Sequence, residues 1–130
     1  MGLTAVVLVA AATWPAWWGL LSALFTVVHT VEELDPTTGP IWSYLGLTDN
    51  AAVGLLLLLG FGAFQVALAW HGFVGGSALA LGLLAAVRVL DLVASHLVPA
   101  FVLGRRPNPG LLSSPLYLID ALVAILVVWG

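Results

Sequence analysis

The sequence predicts an all-α integral membrane protein, a single domain over residues 1–130 that folds as a four-helix transmembrane bundle. Hydrophobic residues make up 62% of the chain and charged residues only 7%, whereas soluble domains hold about 25% charged residues. The mean hydropathy is +1.17. Four long apolar stretches alternate with segments rich in turn-forming residues. The lipid bilayer is therefore the first partner that we expect.

The first predicted helix spans about residues 15–33, and the apolar residues 3–12 are expected to extend it. Pro15 would then lie inside the helix and kink it. The helix ends at the segment "LDPTTGPIWSYLGLTDN", whose prolines and glycines cannot continue it. At the end of that segment Thr48, Asp49 and Asn50 are residue types that cap helices. They predict that the second helix begins near residue 50.

Two further breaks divide the rest of the chain. The second helix, about 50–71, is predicted to end at "HGFVGG", a tight hairpin with His71 in the loop. The third helix, about 75–102, ends at "LGRRPNPG", whose prolines stop it. Ser113 and Ser114 are expected to cap the fourth helix, about 113–129.

Cations are scarce, and their positions predict the orientation. Arg88, Arg105 and Arg106 are the only Lys or Arg residues, so nucleic acid is excluded as a partner. Four spans place the first and third loops on one side of the membrane, and the two arginines of the third loop predict that this side is cytoplasmic. The chain has no cysteine, which excludes disulfides and thiolate ligands for a metal.

Polar side chains cluster at one end of the predicted bundle. The opposite end holds only His71, Gln65 and scattered hydroxyl groups. This asymmetry predicts a half-buried site, because ionisable groups inside a membrane are expensive and usually functional. The clustered residues are His29, Glu32 and Glu33 on the first helix, Thr48, Asp49 and Asn50 on the second, Arg88, Asp91, Ser95 and His96 on the third, and Ser113, Ser114, Tyr117 and Asp120 on the fourth.

The segment "HTVEE" places three ionisable side chains on one face of the first helix. At about 100° per residue, Glu32 lies about 60° to one side of His29 and Glu33 about 40° to the other. We expect Glu32, one residue deeper, to be the buried proton donor and Glu33 to be more solvated. On the third helix Asp91 lies about 60° from Arg88, and an ion pair between them is the simplest expectation. The alternatives are glutamates that only reach to the headgroups and an ion pair that only packs two helices.

Two segments resemble a known family. "HTVEE" matches the motif that names the HXXEE family of small bacterial polytopic membrane proteins, and "SHLVPAFVLGRRPNPGLLSSPLYL" resembles that family's second signature. The resemblance runs from Trp17 onward and implies a multi-pass protein of the bacterial inner (cell) membrane. It implies little established chemistry. The residues that it implicates are His29, Glu32, Glu33, His96, Arg106, Pro109 and Gly110.

The residues favour an enzyme that performs acid–base chemistry on a lipophilic small molecule. A carboxyl group in a medium of low dielectric can hold a proton at neutral pH while a nearby histidine removes one. Six Trp, five Phe and two Tyr side chains could stabilise a cation in a dry cavity. These parts suit isomerisation, protonation-initiated cyclisation or epoxide opening of an isoprenoid-like (terpenoid) substrate. The predicted catalytic residues are His29, Glu32, Glu33, Asp91 and His96, and the predicted substrate-binding residues are Trp17, Trp18, Arg88, Tyr117 and Asp120.

A metal-dependent enzyme is the first alternative. His29-x-x-Glu32 reverses the Glu-x-x-His spacing of di-metal helical bundles, and His96, Asp91 and Asp120 could complete a ligand shell. The sequence contains only one such pair, so we expect neither a metal nor another cofactor.

A carrier or binding subunit is the second alternative. Glu32, Arg88 and Asp91 would then relay protons or hold a polar headgroup. The small residues Gly76, Ala80 and Gly82 would permit contact between two copies in a homodimer.

Overall fold

The computed structural model describes residues 3–34 and 39–129, and the side chains from residue 13 onward within those ranges. Every regular element among them is a helix, which confirms the all-α prediction. α3 and α4 each continue without a break into wider, π-helical turns, Trp70–Val74 and Leu92–Val102. The helices are α1 Leu3–Glu33, α2 Ile41–Tyr44, α3 Ala51–Ala69, α4 Ala78–Asp91 and α5 Ser114–Trp129.

The four predicted helices correspond to α1, α3, α4 and α5, and α1 extends back to Leu3 with Pro15 inside it, as expected. The short α2 was not predicted, because Pro40 was taken only as a helix breaker. Its carbonyl in fact accepts the N–H groups of Ser43 and Tyr44 and so starts a helical turn. Residues 35–38 of this connection lie outside the described residues.

The predicted hairpin at "HGFVGG" is wrong in its position. His71 lies in the π-helical continuation of α3, where its carbonyl accepts the N–H of Ser77 at 3.1 Å. The chain reverses at residues 75–77 instead, and Gly76 adopts a φ of +70°, which favours glycine. Of the predicted dimer residues, Ala80 is buried and Gly82 is exposed.

The ends of the helices match the predicted caps only in part. The Asn50 side chain accepts the N–H groups of Ala52 and Val53, so the predicted start of α3 is confirmed. At α5 the hydroxyls of Ser113 and Ser114 instead both donate to the carbonyl of Gly110.

Among the residues that the structure describes, two helices are long and apolar enough to cross a membrane. They are α3 with its continuation, Ala51–Val74, of 24 residues, and α4 with its continuation, Ala78–Val102, of 25 residues. α5 is shorter and also apolar. The apolar core lies between these helices and α1, around Leu68, Phe73, Leu81 and Leu84.

Arg88 lies fully buried at the centre of the bundle. The predicted ion pair with Asp91 is wrong: Arg88 Nη2 lies 3.0 Å from Asp120 Oδ2 on α5, and Arg88 Nε donates to the same oxygen at 3.1 Å. The reason is the angle between the two α4 positions. Arg88 faces α5, whereas Asp91 is turned towards α1, where its Oδ2 lies 3.5 Å from His29 Nε2.

The other contacts of this pair reach every long helix. Arg88 donates to Gln65 Oε1 on α3 at 2.7 Å and to Thr26 Oγ1 on α1 at 2.8 Å. Asp120 accepts the indole N–H of Trp18 at 2.8 Å and the hydroxyl of Ser22 at 2.6 Å. Gln65, expected among the isolated polar groups of the opposite end, therefore belongs to this network. We call these six residues, Trp18, Ser22, Thr26, Gln65, Arg88 and Asp120, the arginine network.

We expect the arginine network to stabilise the bundle strongly. Asp120→Ala should lower the free energy of unfolding by about 3–5 kcal/mol, because it leaves a buried guanidinium without its counter-ion. Asp49→Ala, which removes an exposed carboxylate, should change it little. Titrating detergent-solubilised protein with SDS measures both values. The double variant Arg88→Met/Asp120→Leu should be more stable than Asp120→Ala, and equal stability of Asp49→Ala and Asp120→Ala would contradict the expectation.

Candidate active site

Four buried ionisable side chains converge next to the arginine network. His29 and Glu33 come from α1, Asp91 from the end of α4 and His96 from its π-helical continuation. One ligand atom from each side chain lies within 4.8 Å of the other three. His29 Nε2 is 3.1 Å from His96 Nε2, 3.5 Å from Asp91 Oδ2 and 3.6 Å from Glu33 Oε1. His96 Nε2 is 3.4 Å from Glu33 Oε1. We call these four residues the His/carboxylate cluster.

The two glutamates of "HTVEE" have exchanged the surroundings that we predicted. Glu33 is 3% exposed and belongs to the cluster, whereas the half-buried Glu32 lies outside it. The Glu32 carboxylate accepts the backbone N–H groups of Leu112 and Ser113, each at 2.8 Å. The helix itself explains this, since Glu33 follows His29 by four residues and shares its face more closely than Glu32 does.

Each histidine is held through its second ring nitrogen. His29 Nδ1 lies 2.7 Å from Ser113 Oγ, and His96 Nδ1 lies 2.8 Å from Asn108 Oδ1. The Asn108 amide is oriented in turn by donation to the carbonyl of Ser95 at 3.1 Å. Sequence reasoning placed Ser113 among the polar residues at this end of the bundle but assigned it only a helix cap, and it gave Asn108 no role. Their signal was present in "RRPNPGLLS", a turn-rich part of the segment that resembles the family's second signature.

Gly110 brings this loop against the cluster. Its φ is +85°, and a Cβ atom at this position would meet His96 Cε1 at 2.5 Å and both His29 Cε1 and Glu33 Cγ at 2.9 Å. A side chain at residue 110 would therefore displace the cluster. The resemblance implicates this glycine, and the close approach gives a physical reason for it.

The predicted substrate-binding residues occupy two kinds of place. Trp18, Arg88 and Asp120 are hydrogen-bonded within the arginine network, and Trp17 is 64% exposed. Tyr117 is buried between the two polar groups: its ring centre lies 3.8 Å from Arg88 Cζ and 4.1 Å from the ring centre of His29. Tyr117 thus connects the arginine network with the His/carboxylate cluster.

An apolar cleft of about 490 Å³ borders the cluster, a volume typical of small-molecule sites. Asp91 lines it, and Arg105 stands at its exposed edge. Leu90 and Leu103, both largely exposed, show that the cleft opens on the outer surface of the bundle. The other lining residues are Trp42, Leu45, Leu47, Phe61, Ala94, Ser95, Val98 and Pro99.

The arrangement permits two kinds of chemistry. Histidines in contact with carboxylates can pass protons to and from a bound molecule. Two imidazoles and two carboxylates are also ligands that hold a metal ion. Of the residues considered for a metal shell in the sequence, Glu32 and Asp120 lie outside the cluster, and Glu33 takes the place that was assigned to Glu32.

Comparison with known proteins gives one match. The model of a family described as "Protein of unknown function with HXXEE motif" matches residues 18–125, which is most of the chain and includes the whole cluster. No curated protein and no solved structure matches significantly.

We expect Gly110→Ala to disturb the cluster and Gly104→Ala to leave it intact. Both glycines have positive φ angles, so each alanine should cost about 1–2 kcal/mol. Of these two positions, residue 110 has atoms within 4 Å of the added Cβ and residue 104 has none. Overpacking at residue 110 should cost about 1–3 kcal/mol more. SDS titration measures the stability, and ¹⁵N-histidine NMR should show shifted His29 and His96 signals in Gly110→Ala alone. Identical histidine spectra in the two variants would contradict the close packing of Gly110.

Proposed function

The chain belongs to the HXXEE family, and we propose that this member is an integral membrane enzyme that transfers protons to and from a lipophilic small molecule. The proposed catalytic groups are those of the His/carboxylate cluster. The proposed location is the bacterial inner membrane, which all four long helices would cross.

The distribution of polarity supports a membrane location for the whole bundle. Each long helix exposes large apolar side chains, for example Val31, Leu56, Leu79 and Leu126, each more than 60% exposed. The charged and amide side chains of His29, Glu33, Gln65, Arg88, Asp91, His96 and Asp120 are buried instead. Water would penalise such a surface, whereas lipid favours it.

The position of Asp91 is the observation that carries the proposed activity. This residue belongs to the His/carboxylate cluster and also lines the apolar cleft. A lipophilic molecule could enter the cleft from the bilayer between the exposed leucines and contact the Asp91 carboxylate. The two histidines and Glu33 lie on the other side of that carboxylate, away from the cleft. Entry from lipid suits a substrate that is poorly soluble in water.

The cluster has the parts that proton-transfer chemistry requires. His29 contacts Asp91, and His96 contacts both His29 and Glu33, so a proton delivered through Asp91 can be replaced through His29. Burial makes each transfer more effective, since water does not compete for the same hydrogen bonds. Isomerisation, protonation-initiated cyclisation and epoxide opening of an isoprenoid-like molecule all begin with donation of a proton in such surroundings.

A carrier is less well supported by the same geometry. A carrier would need a polar path through the bundle. The polar groups of the arginine network instead fill the interior and form hydrogen bonds with one another. Beyond that network the described interior is apolar, around Leu68, Phe73 and Leu84.

We expect cysteines at Asp49 and Leu112 to be labelled from one side of the membrane and a cysteine at Trp129 from the other. The loops before α3 and before α5 meet at the cluster's end of the bundle, where Arg105 donates to the carbonyl of Tyr44. The chain has no cysteine of its own, so an impermeant thiol reagent added to intact cells would label this protein only at the introduced cysteine. Labelling then shows that this residue lies outside the cell. Labelling of all three positions from the same side would contradict four spans.

We expect the enzyme to introduce solvent deuterium into a lipophilic compound. Membranes carrying the protein would be incubated in D₂O with a lipid extract of the source cells, and mass spectrometry would detect compounds that gain deuterium at carbon or add D₂O. Asp91→Asn should reduce the rate about 10²- to 10⁴-fold, the usual effect of losing a positioned acid or base. Asp49→Asn is the matched control. Indistinguishable spectra from wild type and Asp91→Asn would refute the proposed activity.

A further inference from the structure

We infer that the His/carboxylate cluster is a binding site for a single divalent transition-metal ion, with Zn²⁺ as the best fit. His29 and His96 would bind through Nε2, and Glu33 and Asp91 through one carboxylate oxygen each. The inference deepens the proposed function by naming a cofactor, because an ion held by these four atoms would take over from them the activation of water or substrate, and it rests on that function only for what the metal does. Whether the metal binds can be measured without any substrate.

Four of the six distances between the ligand atoms are close to those of a metal's coordination shell. Ligands at 2.0–2.2 Å from a tetrahedral Zn²⁺ lie about 3.3–3.6 Å from one another. Between the histidine nitrogens and the carboxylate oxygens the distances are 3.4, 3.5 and 3.6 Å. The two histidine nitrogens lie 3.1 Å apart. All four atoms lie within 4.8 Å of one another, so small shifts of the side chains would close them around the ion.

The hydrogen bonds behind the rings direct a lone pair of each histidine into the cluster. Asn108 Nδ2 donates to the carbonyl of Ser95, so Asn108 Oδ1 faces His96 and accepts its Nδ1–H. The Ser113 hydroxyl donates to the carbonyl of Gly110, so its oxygen can accept the Nδ1–H of His29. Both Nε2 atoms are then acceptors that face each other. Metal-binding histidines are held in this way, with the second nitrogen donating to a neighbouring oxygen.

The cluster also contains no lysine or arginine. The chain has three cationic residues, counting Lys and Arg, and Arg88 is paired with Asp120. Arg105 donates to the carbonyl of Tyr44 and Arg106 to that of Ala100. The carboxylates of Glu33 and Asp91 are therefore buried without an arginine, and Asp91 Oδ2 has no hydrogen-bond partner. A divalent cation would neutralise both carboxylates, and buried charges require such a partner.

The donor set favours zinc. Two imidazole nitrogens with carboxylate oxygens and no thiolate are the ligands of catalytic zinc sites. Four protein ligands would fill a tetrahedral shell, and Asp91 borders the cleft, so a molecule bound there would reach the ion as a fifth ligand or by displacing Asp91. When bound, the ion would polarise a substrate oxygen or lower the pKa of a water molecule.

The test is metal content measured on the full-length protein, purified in detergent with an affinity tag that contains no histidine. After incubation with Zn²⁺ and removal of excess metal, elemental analysis should find about one zinc per chain. Co²⁺ should give the visible absorption of a tetrahedral nitrogen–oxygen site, free of thiolate bands because the chain has no cysteine. Folded wild-type protein that takes up neither metal overturns the inference and leaves the metal-free proton-transfer function standing.

The adjacent glutamates supply a matched pair of variants. Glu33→Gln should lose the metal, and Glu32→Gln should keep it, since Glu32 holds the loop and does not reach the cluster. His71→Ala, which changes an exposed histidine, should also keep it. Equal metal content in Glu33→Gln and Glu32→Gln overturns the assignment. The wild-type Co²⁺ spectrum decides the matter even if Glu33→Gln fails to fold.

The adjacent serines test the hydrogen bonds behind the ligands. Ser113→Ala removes the partner of His29 and should weaken Zn²⁺ affinity about 10- to 100-fold, as loss of such partners usually does. Ser114→Ala removes another buried hydroxyl that donates to Gly110 and should leave the affinity unchanged. Competition with a chromophoric chelator measures both dissociation constants. Equal affinity in the two variants contradicts the role of Ser113.

Discussion

The structure depends on the need to pair every polar atom of one buried arginine. Arg88 is completely enclosed, and an unpaired guanidinium in these surroundings would cost several kcal/mol. Its donors are satisfied only when Asp120, Gln65 and Thr26 approach together, and these residues belong to α5, α3 and α1. The polar pairing therefore fixes the position of each long helix along its axis, which apolar contacts alone specify poorly because leucine packs against many neighbours.

The active-site geometry follows from that position. His29 lies three residues after Thr26 on α1, and Asp91 lies three residues after Arg88 on α4, so each is about one helical turn beyond the arginine network. Tyr117 fills the space between, with Arg88 Cζ 3.8 Å from its ring centre and the His29 ring centre 4.1 Å away at an angle of 38°. A network that sets the register of α1 against α4 thereby brings His29 within 3.5 Å of Asp91. Rigid support of this kind is what precise catalytic or metal-binding geometry requires.

The sequence predicts the long helices and the end of the bundle that holds the site. It does not predict which side chains contact one another within the site. Apolar length and turn residues locate the helices, and helical spacing places His29 and Glu33 on one face. The partner of Arg88 depends on how α4 is turned towards α5, which no local pattern records. The burial of Glu33 in place of Glu32 was partly predictable, because Glu33 lies about 40° from His29 around the helix and Glu32 about 60°. The prediction relied instead on depth along the helix axis, which favoured Glu32. The contacts of Ser113 with His29 and of Asn108 with His96 were not predicted, because the geometry of the loop determines them.

The two sequence motifs act as one physical unit. In "HTVEE" the first and last residues, His29 and Glu33, enter the cluster, while Glu32 holds the backbone of Leu112 and Ser113. These two hydrogen bonds hold the loop before α5 against α1. In the loop, Ser113 contacts His29 and Asn108 contacts His96, and Gly110, which has no side chain, packs against both rings. Each glutamate therefore has a separate task, one in the cluster and one in assembling its surroundings. Loss of Glu33 would remove a ligand or proton carrier from the cluster, whereas loss of Glu32 would leave all four cluster side chains in place and only loosen the loop behind the histidines.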